Sequence, residues 1–426
     1  MIAQTVLPFK LEITKDEVTP HAGLAVFGEF CHAMGLPQMV DRELPCPGSG
    51  AGYLPWQFVE PLLLMLHGGG RALEDMRQIR MDTGLRELLR MDVVPSSDAT
   101  GDWLRRMGAG AGLCGLGSVN RQIVRRALNR DATDEYTLDI DATQIVAEKR
   151  DAKRTYKGEI GYMPMLGVLA ENGLAVGDEF REGNDSPGAR NLEFIEYCVS
   201  RMPRGKRIAH LRSDSAAYQA RIFDWCEQNN ASFAVGADLD SAVMEAIARI
   251  PEQEWREYQD GQVAETIHAM NRGNKAFRLV VIRRPIQRDL FWEEDPRLRY
   301  KVIASNREES SEETIAWYNQ RGEAMENRIK ELKLGFGMDR MPCGEIEANA
   351  VFFRIGVLAY NLFVLFKLLA LPGNWQRHQV RTVRWRLYQT AGKVVTHAGA
   401  LFLKIRLWMY NVFEEVRARC RELAWA

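Results

Sequence analysis

The stretch that decides the fold is TLDID, residues 137–141, in which apolar and acidic side chains alternate. Successive side chains of a β-strand point to opposite faces, so Leu138 and Ile140 share one face while Asp139 and Asp141 share the other. The alternation therefore predicts a strand with one apolar face and one face that displays carboxylates.

The sequence after this strand predicts two more antiparallel strands and then a helix–strand–helix–strand series. Apolar runs at 165–170 and 174–180 flank Glu171-Asn172-Gly173, and Asn-Gly between apolar runs is the strongest local hairpin signal. The later predicted elements are a helix at 192–201, a strand at 207–211, a helix at 218–228 and a strand at 232–236. This order is that of an α/β fold with an RNase H-like core.

A β-rich insertion and a long helix are predicted to follow. Strand-like runs at 277–282 and 300–303 indicate an insertion over 240–308, and a helix resumes from about 312 to 333. The apolar stripe of that helix consists of Met325, Ile329, Leu332 and Phe336, at i, i+4, i+7 and i+11.

Residues 1–130 read as a mostly helical region. A helix-start signal at 95–98 precedes one predicted helix, and a second spans about 119–130. Arg121 and Arg125 lie one turn apart on the second helix, so one interpretation is a helix-turn-helix that offers arginines to a DNA groove. Ordinary helix packing is the favoured alternative, because no residue fixes the turn.

Charge is distributed unevenly along the chain. The 426 residues contain 56 Lys and Arg and 57 Asp and Glu, so net charge gives no support for nucleic-acid binding. Residues 348–413, however, contain nine basic and no acidic residues, interleaved with Trp375, Trp385, Tyr388 and Trp408. This segment fits either a surface that binds phosphates and stacks on bases or a solvated helix face whose aromatic side chains lie in the core.

Several classes of protein are disfavoured. The seven dispersed cysteines form no Cys-x-x-Cys pair, which is typical of reduced thiols in a cytoplasmic protein. The apolar run 350–371 contains Arg354, Asn361 and Lys367, so a buried helix is expected there and no membrane span. The glycines at 68–70 lack the Gly-Lys-Ser/Thr element of a phosphate-binding loop, so no nucleotide cofactor is expected.

Three carboxylates can meet in the predicted fold. Asp141 lies on the first strand, Asp214 follows the fourth strand beside it, and Glu326 lies on the long helix. Singly, such residues are commonly caps or solvated side chains. Together they fit phosphoryl transfer with two divalent ions ~3.5–4 Å apart, and Mg²⁺ prefers carboxylate oxygens. Asp141 is predicted to bridge two Mg²⁺ ions, for which Mn²⁺ can substitute, while Asp214 and Glu326 hold one each.

Short motifs around these carboxylates resemble a known family. Residues 139–143 (DIDAT) look like the first-aspartate motif of the DDE transposases of bacterial insertion sequences, and residues 212–215 (RSDS) look like the second. The runs 181–187 (REGNDSP) and 191–194 (NLEF) are similar to the segment before the second aspartate in the insertion-sequence 1380 family.

The long helix adds to the resemblance. Residues 318–322 (YNQRG) and 326–333 (ENRIKELK) resemble the Tyr/Arg/Glu/Lys signature of the wider transposase group. The resemblance implies that Asp141, Asp214 and Glu326 are the metal-binding triad. It also implies that DNA phosphates are contacted by Tyr318, Arg321 and Lys333. Glu326 and Lys333 are seven residues apart, so they are predicted to share one helix face with the further DNA-contact candidate Lys330 between them.

The Arg–Glu spacing departs from the family pattern. The family usually has three residues between these positions, whereas four lie between Arg321 and Glu326, and one residue turns a helix by ~100°. A bulge at Gly322 can absorb the difference; otherwise Glu323 becomes a rival third carboxylate. Asp139 is a rival to Asp141, which is favoured because it directly precedes the Ala-Thr pair.

These observations define an expected protein. Residues 1–130 form a helical DNA-binding region, 131–345 an RNase H-like catalytic domain, and 346–426 a helical basic segment whose predicted DNA contacts are Arg377, Arg381, Arg384 and Arg386. The resemblance implies a cytoplasmic transposase that cuts double-stranded DNA at its terminal inverted repeats and joins the 3′-hydroxyl ends to target DNA, as a homodimer or larger complex. The alternatives are an RNase H-like nuclease without strand transfer and a catalytically inactive DNA-binding protein.

Overall fold

The computed structural model describes residues 7–425 except 8, 49, 51, 272, 274 and 286–297, and the side chains of Glu323 and Trp425 also fall outside the description. Part of the predicted insertion, 286–297, therefore lies outside the described residues. All structural statements below refer to the described part of the chain.

The N-terminal region is helical after one short strand, as its periodicity predicts. Ser96 caps one of these helices, its Oγ accepting the Ala99 amide at 3.2 Å, so the predicted helix start is confirmed. The elements are β1 (Glu17–Thr19), α1 (Ala22–Ala33), α2 (Leu36–Glu43), α3 (Pro55–Gly68), α4 (Met76–Met81), α5 (Thr83–Leu89), α6 (Ser97–Ala109) and α7 (Gly112–Leu128).

The arginines of α7 are used inside the protein. Arg125 donates to the carbonyl oxygens of Arg201 and Met202 at 3.0 and 3.1 Å. Arg126 donates to the carbonyl oxygens of Met34 and Leu423. These contacts favour ordinary helix packing over a helix-turn-helix that presents Arg125 to DNA.

The middle of the chain alternates strands and helices. Its strands before the insertion are β2 (Glu135–Ala142), β3 (Ile145–Val146), β4 (Lys153–Arg154), β5 (Ile160–Tyr162), β6 (Met165–Leu169), β7 (Ala175–Glu179), β8 (Arg207–Ser213) and β9 (Ser232–Gly236). The strands that follow are β10 (Arg256–Tyr258), β11 (Gly261–His268), β12 (Phe277–Pro285) and β13 (Leu298–Ser305). The helices are α8 (Asn191–Ser200), α9 (Ala220–Gln228), α10 (Ser241–Ala248) and α11 (Ser311–Lys330).

One large mixed sheet organises these elements. Within the described residues its order is β10-β11-β12-β13-β9-β8-β2-β6-β7. Strand β2 pairs antiparallel with β6 and parallel with β8, and β8 pairs parallel with β9. The predicted series of three strands, helix, strand, helix and strand is therefore confirmed, with the fourth strand beside the first as expected.

The insertion extends this same sheet. Strand β13 pairs antiparallel with β9, and β12, β11 and β10 continue outward from it. A smaller sheet of order β3-β5-β4 follows β2 and was not predicted, because strands of two or three residues are too short to show an alternation.

The C-terminal segment is helical with one exception. Its elements are α12 (Ile346–Leu365), α13 (Val380–Val383), β14 (Gly392–His397), β15 (Ala400–Lys404) and α14 (Leu407–Trp425), and π-helical turns prolong α11, α12 and α13. The β14–β15 hairpin corrects the prediction of an all-helical segment. Its third partner is β1, where Val18 pairs with Lys393, so the contact that completes this sheet is remote in sequence.

Helix α12 forms the axis of the core. With its π-helical turn it spans Ile346–Ala370, which is long and apolar enough to cross a membrane, yet 89% of its most apolar 18-residue window is buried inside the protein. Arg354 binds the Asp178 carboxylate at 2.8 Å, and Asn361 accepts the Ala175 amide at 2.8 Å. The polar groups of this helix thus attach it to β7, which agrees with the predicted buried helix.

Candidate active site

Asp141 and Asp214 lie at the carboxyl-terminal ends of two neighbouring strands in the middle of the sheet. Asp141 is the last residue but one of β2, and Asp214 directly follows β8, the parallel neighbour of β2. The Asp214 carboxylate accepts the Ala216 amide at 3.1 Å and so caps the turn that begins at Ser215. Carboxyl ends of parallel strands in open sheets are where ligands commonly bind.

A cleft of about 480 Å³ opens beside Asp214. Its walls include Tyr156, Tyr218 and Asp238, together with Gly188 from the loop that follows the REGNDSP motif. Gln219 donates to the Gly188 carbonyl at 2.8 Å, which fastens this loop beside the aspartate. The motif therefore supplies one wall of the candidate site.

The Asp141 carboxyl has an unusual proton affinity. Burial raises its pKa to about 6; the charge of Arg321 lowers it and the charge of Asp214 raises it further. The effect of Asp214 on the pKa of Asp141 indicates that the two carboxylates are close enough to repel each other when both are ionised. Such a pair is well suited to a divalent cation, which neutralises both charges.

Asp139, the rival to Asp141, is used inside the core. It is fully buried, and its two oxygens accept hydrogen bonds from Arg212 at 2.7 and 2.9 Å. Arg328 approaches the same carboxylate at 3.8 Å. Because the Asp141 side chain is 26% exposed, Asp141 remains the candidate metal ligand of the two.

Tyr318 and Arg321 project from α11 toward the carboxyl-terminal ends of β2 and β8. Burial raises the pKa of Tyr318; Arg321 lowers it, and the charges of Asp214 and Asp141 raise it. Arg321 is 9% exposed and donates from Nη2 to the Ile140 carbonyl at 3.1 Å, with an Asp141 oxygen at 3.5 Å. Both side chains therefore belong to the site, but Arg321 faces Asp141 and is turned away from the surface.

Glu326 is the third carboxylate of the predicted triad. It is exposed on α11, which continues without a break through Gly322, so the bulge considered for that position is absent from the helix. Four-residue spacing puts Tyr318, Gly322 and Glu326 on one ridge of the helix. Within the described residues no three His, Cys, Asp or Glu side chains are arranged to hold a metal ion. The triad of Asp141, Asp214 and Glu326 therefore stays a prediction, and the side chain of Glu323 is outside the description.

The two lysines predicted to contact DNA differ in their surroundings. Lys330 is exposed at the end of α11. Lys333 lies in the π-helical turn Glu331–Gly335 and donates to the Gln144 carbonyl at 2.6 Å, while burial lowers its pKa. The predicted sharing of one face by Glu326 and Lys333 assumed a regular α-helix, which ends before Lys333.

The basic C-terminal residues also divide into two groups. Arg377 and Arg381 are exposed, and the exposed Arg386 lies over the Trp375 ring at 5.2 Å. Arg384 instead donates to the carbonyl oxygens of Leu66, His67 and Gly335 at 2.8–3.1 Å. The bonds to Leu66 and His67 cap the end of α3, so Arg384 has a structural role, and its DNA contact stays a prediction.

The aromatic residues of this segment are likewise divided. Trp385 is 78% exposed and Trp408 is 66% exposed, whereas Trp375 and Tyr388 are buried. Two of the four interleaved aromatic rings are therefore open to a base, and the other two belong to the core.

Sequence reasoning missed the residues that support the site. Arg212 pairs with Asp139 and also donates to the Trp317 carbonyl at 2.7 Å, so it joins β2, β8 and α11. The available signal was the register, since Asp139 and Arg212 each lie two residues before a candidate aspartate. Asp238, which lies two residues after the end of β9 and lines the cleft, was also missed.

Comparison with known proteins identifies the family. A cryo-EM structure of the piggyBac transposase synaptic complex with hairpin DNA is similar to this chain, with 10% sequence identity and a TM-score of 0.49 over 96% of this chain and 86% of that chain. No curated protein matches the chain. The sequence model described as transposase DDE domain group 1 matches residues 7–423. Because this match extends over almost the whole length, the chain belongs to the group 1 family of DDE transposases.

Proposed function

We propose that this protein cuts DNA at the terminal inverted repeats of a bacterial insertion sequence of the 1380 family and joins the freed 3′-hydroxyl ends to target DNA. The observation that carries the proposal is the pair Asp141 and Asp214 at the carboxyl ends of neighbouring parallel strands, with the pKa of Asp141 raised to about 6. Membership of the DDE family supplies the reaction class.

The donor set fits a hard divalent cation such as Mg²⁺. Asp141 and Asp214 offer carboxylate oxygens, and their repulsion is relieved when a cation is shared between them. Glu326 would complete the set from α11. Held by these carboxylates, a pair of such ions would supply activation of the attacking oxygen and charge stabilisation at the leaving oxygen in phosphoryl transfer. At neutral pH most Asp141 side chains are ionised, because the pKa lies below 7, and are therefore ready to act as ligands.

The remaining parts of the site orient the substrate. The loop held by Gln219 forms the cleft wall next to Asp214, and Tyr318 extends from α11 toward the two aspartates. The exposed residues Lys330, Arg377 and Arg381 supply positive charge for the DNA backbone. Action as a homodimer or larger complex in the cytoplasm is part of the proposal.

The test uses DNA that flanks the gene, prepared as a labelled duplex. Wild type is compared with Asp214→Asn, with Mg²⁺ and with EDTA, and cleavage at the repeat boundary and joining to a plasmid are scored. The control variant is Glu254→Gln, an exposed carboxylate next to β10 at the far edge of the sheet. We expect metal-dependent cutting and joining in wild type and in the control, and neither in Asp214→Asn.

Two results would contradict the proposal and favour an alternative. Cutting without joining would indicate an RNase H-like nuclease. Tight repeat-specific binding without cutting would indicate an inactive DNA-binding protein. One observation favours this alternative: among the described residues, no three His, Cys, Asp or Glu side chains are arranged to hold a metal ion.

A further inference from the structure

Arg321 reaches the candidate metal site through the protein interior. It projects from α11, is 9% exposed, and donates to the carbonyl oxygen of Ile140, the residue before Asp141. Its Nη2 lies 3.5 Å from an Asp141 oxygen, which makes an ion pair. In this state the guanidinium neutralises the carboxylate that the proposed function assigns to a metal ion.

The guanidinium of Arg321 is incompletely satisfied. Arginine has five N–H donors, and the Nε of Arg321 is buried without a hydrogen-bond partner. Arg212 on β8 differs from Arg321, because it makes two short hydrogen bonds to Asp139 and a third to the Trp317 carbonyl. Arg321 therefore holds Asp141 at 3.5 Å and keeps its Nε donor free for a second acceptor, such as a phosphate oxygen.

A metal ion and the Arg321 guanidinium compete for the same carboxylate. A divalent cation on Asp141 would lie within a few ångströms of the guanidinium, and two positive charges that close repel each other strongly where burial limits screening. The ion pair between Arg321 and Asp141 therefore lowers the affinity of the site for a divalent cation. A DNA phosphate near the site would give Arg321 another partner and so remove this charge repulsion.

We propose that Arg321 is the counter-ion of Asp141 in the DNA-free protein and moves to a DNA phosphate when DNA binds, so that DNA and divalent cation bind cooperatively. The inference rests on the proposed function, because it takes Asp141 as a metal ligand. It assigns Arg321 a positioning role that a simple surface contact to DNA would not have. By linkage, the metal must strengthen DNA binding by the same factor by which DNA strengthens metal binding.

The test measures binding of Mg²⁺ alone to the DNA-free protein by calorimetry. We expect Arg321→Gln to bind Mg²⁺ about tenfold more tightly than wild type, because the competing charge is gone. Arg321→Lys keeps the charge and should bind as weakly as wild type. Arg249→Gln, which removes an exposed cation next to α10, should leave Mg²⁺ affinity unchanged. Equal or weaker Mg²⁺ binding by Arg321→Gln overturns the inference.

A second measurement keeps the inference testable if Arg321→Gln does not fold. Wild type is titrated with Ca²⁺, another cation that takes oxygen ligands, with and without a duplex that carries the flanking repeat. Equal Ca²⁺ affinity in the two titrations overturns the inference. Asp141→Asn separates the two proposals: if it binds Mg²⁺ as well as wild type does, the proposed metal site itself is wrong, whatever the result for Arg321.

Discussion

Asp139 and Arg212 are register partners on neighbouring parallel strands, and they form a buried ion pair with two hydrogen bonds of 2.7 and 2.9 Å. Each residue lies two positions before a candidate metal ligand, Asp141 in one strand and Asp214 in the other. The pair therefore fixes the strands at the point from which both aspartates project. Arg212 extends the constraint to α11 through the Trp317 carbonyl.

We predict that removal of either partner of this pair destabilises the protein strongly. Asp139→Asn or Arg212→Gln leaves an uncompensated charge in the core and should lower the free energy of unfolding by about 3–5 kcal/mol. Urea denaturation measures the loss. Arg249→Gln, which breaks an exposed ion pair on α10, should have little effect. The double variant Asp139→Leu/Arg212→Met should recover part of the loss, and failure of both single variants to destabilise would contradict the structural role.

Asp141 should make stability depend on pH in the absence of metal. Its pKa is raised from 3.8 to about 6 on folding, so the folded state binds the proton more tightly and stability falls as pH rises between these values. The loss is complete above about pH 7 and amounts to at most about 3 kcal/mol. Asp141→Asn should lack this component, so its stability relative to wild type should increase from pH 4 to pH 7. Thermal melting in EDTA across this range checks the prediction, and parallel curves for the two proteins would contradict it.

Variants of Arg384 and Arg381 should distinguish an arginine that stabilises the fold from one that binds DNA. Arg384→Gln removes hydrogen bonds to three carbonyl oxygens and should lower the free energy of unfolding by roughly 2–3 kcal/mol. Arg381→Gln changes an exposed residue, so stability should be kept. If Arg381 contacts a phosphate, its loss should reduce the slope of log affinity against log salt by about one. Filter binding at several salt concentrations measures the slope; a reduced slope for folded Arg384→Gln would restore Arg384 as a DNA contact.

The core strands could be predicted because their signals are local. Alternation in residues 137–141 and the Asn-Gly pair between β6 and β7 each lie within one element or one turn. The sheet that joins β1 to β14 could not be predicted, since its pairing of Val18 with Lys393 depends on tertiary structure. Local patterns show that a strand exists, and they do not show which remote strand completes it.

The sequence could predict which types of residue form the site, but it could not predict where their side chains point. Alternation put Asp139 and Asp141 on one face, but the Arg212 side chain that takes Asp139 comes from another strand. The basic segment shows the same limit: its composition could not reveal that Arg384 caps α3 whereas Arg381 is exposed. Tertiary packing decides which polar side chains face inward, and a single sequence does not reveal that packing.

The third carboxylate can be decided by a matched pair of variants on α11. By helix geometry, position 326 is turned about 80° from Tyr318, which lies near the aspartates, whereas position 323 is turned about 140° from it. Glu326→Gln should therefore lower the rate of Mg²⁺-dependent cleavage by about 10²-fold or more, and Glu323→Gln should leave it close to wild type. Cleavage of the labelled flanking duplex gives both rates, and DNA affinity in EDTA should be unchanged in both variants. The reverse ranking would assign the role to Glu323, and equal activity of both variants would mean that the site works with Asp141 and Asp214 alone.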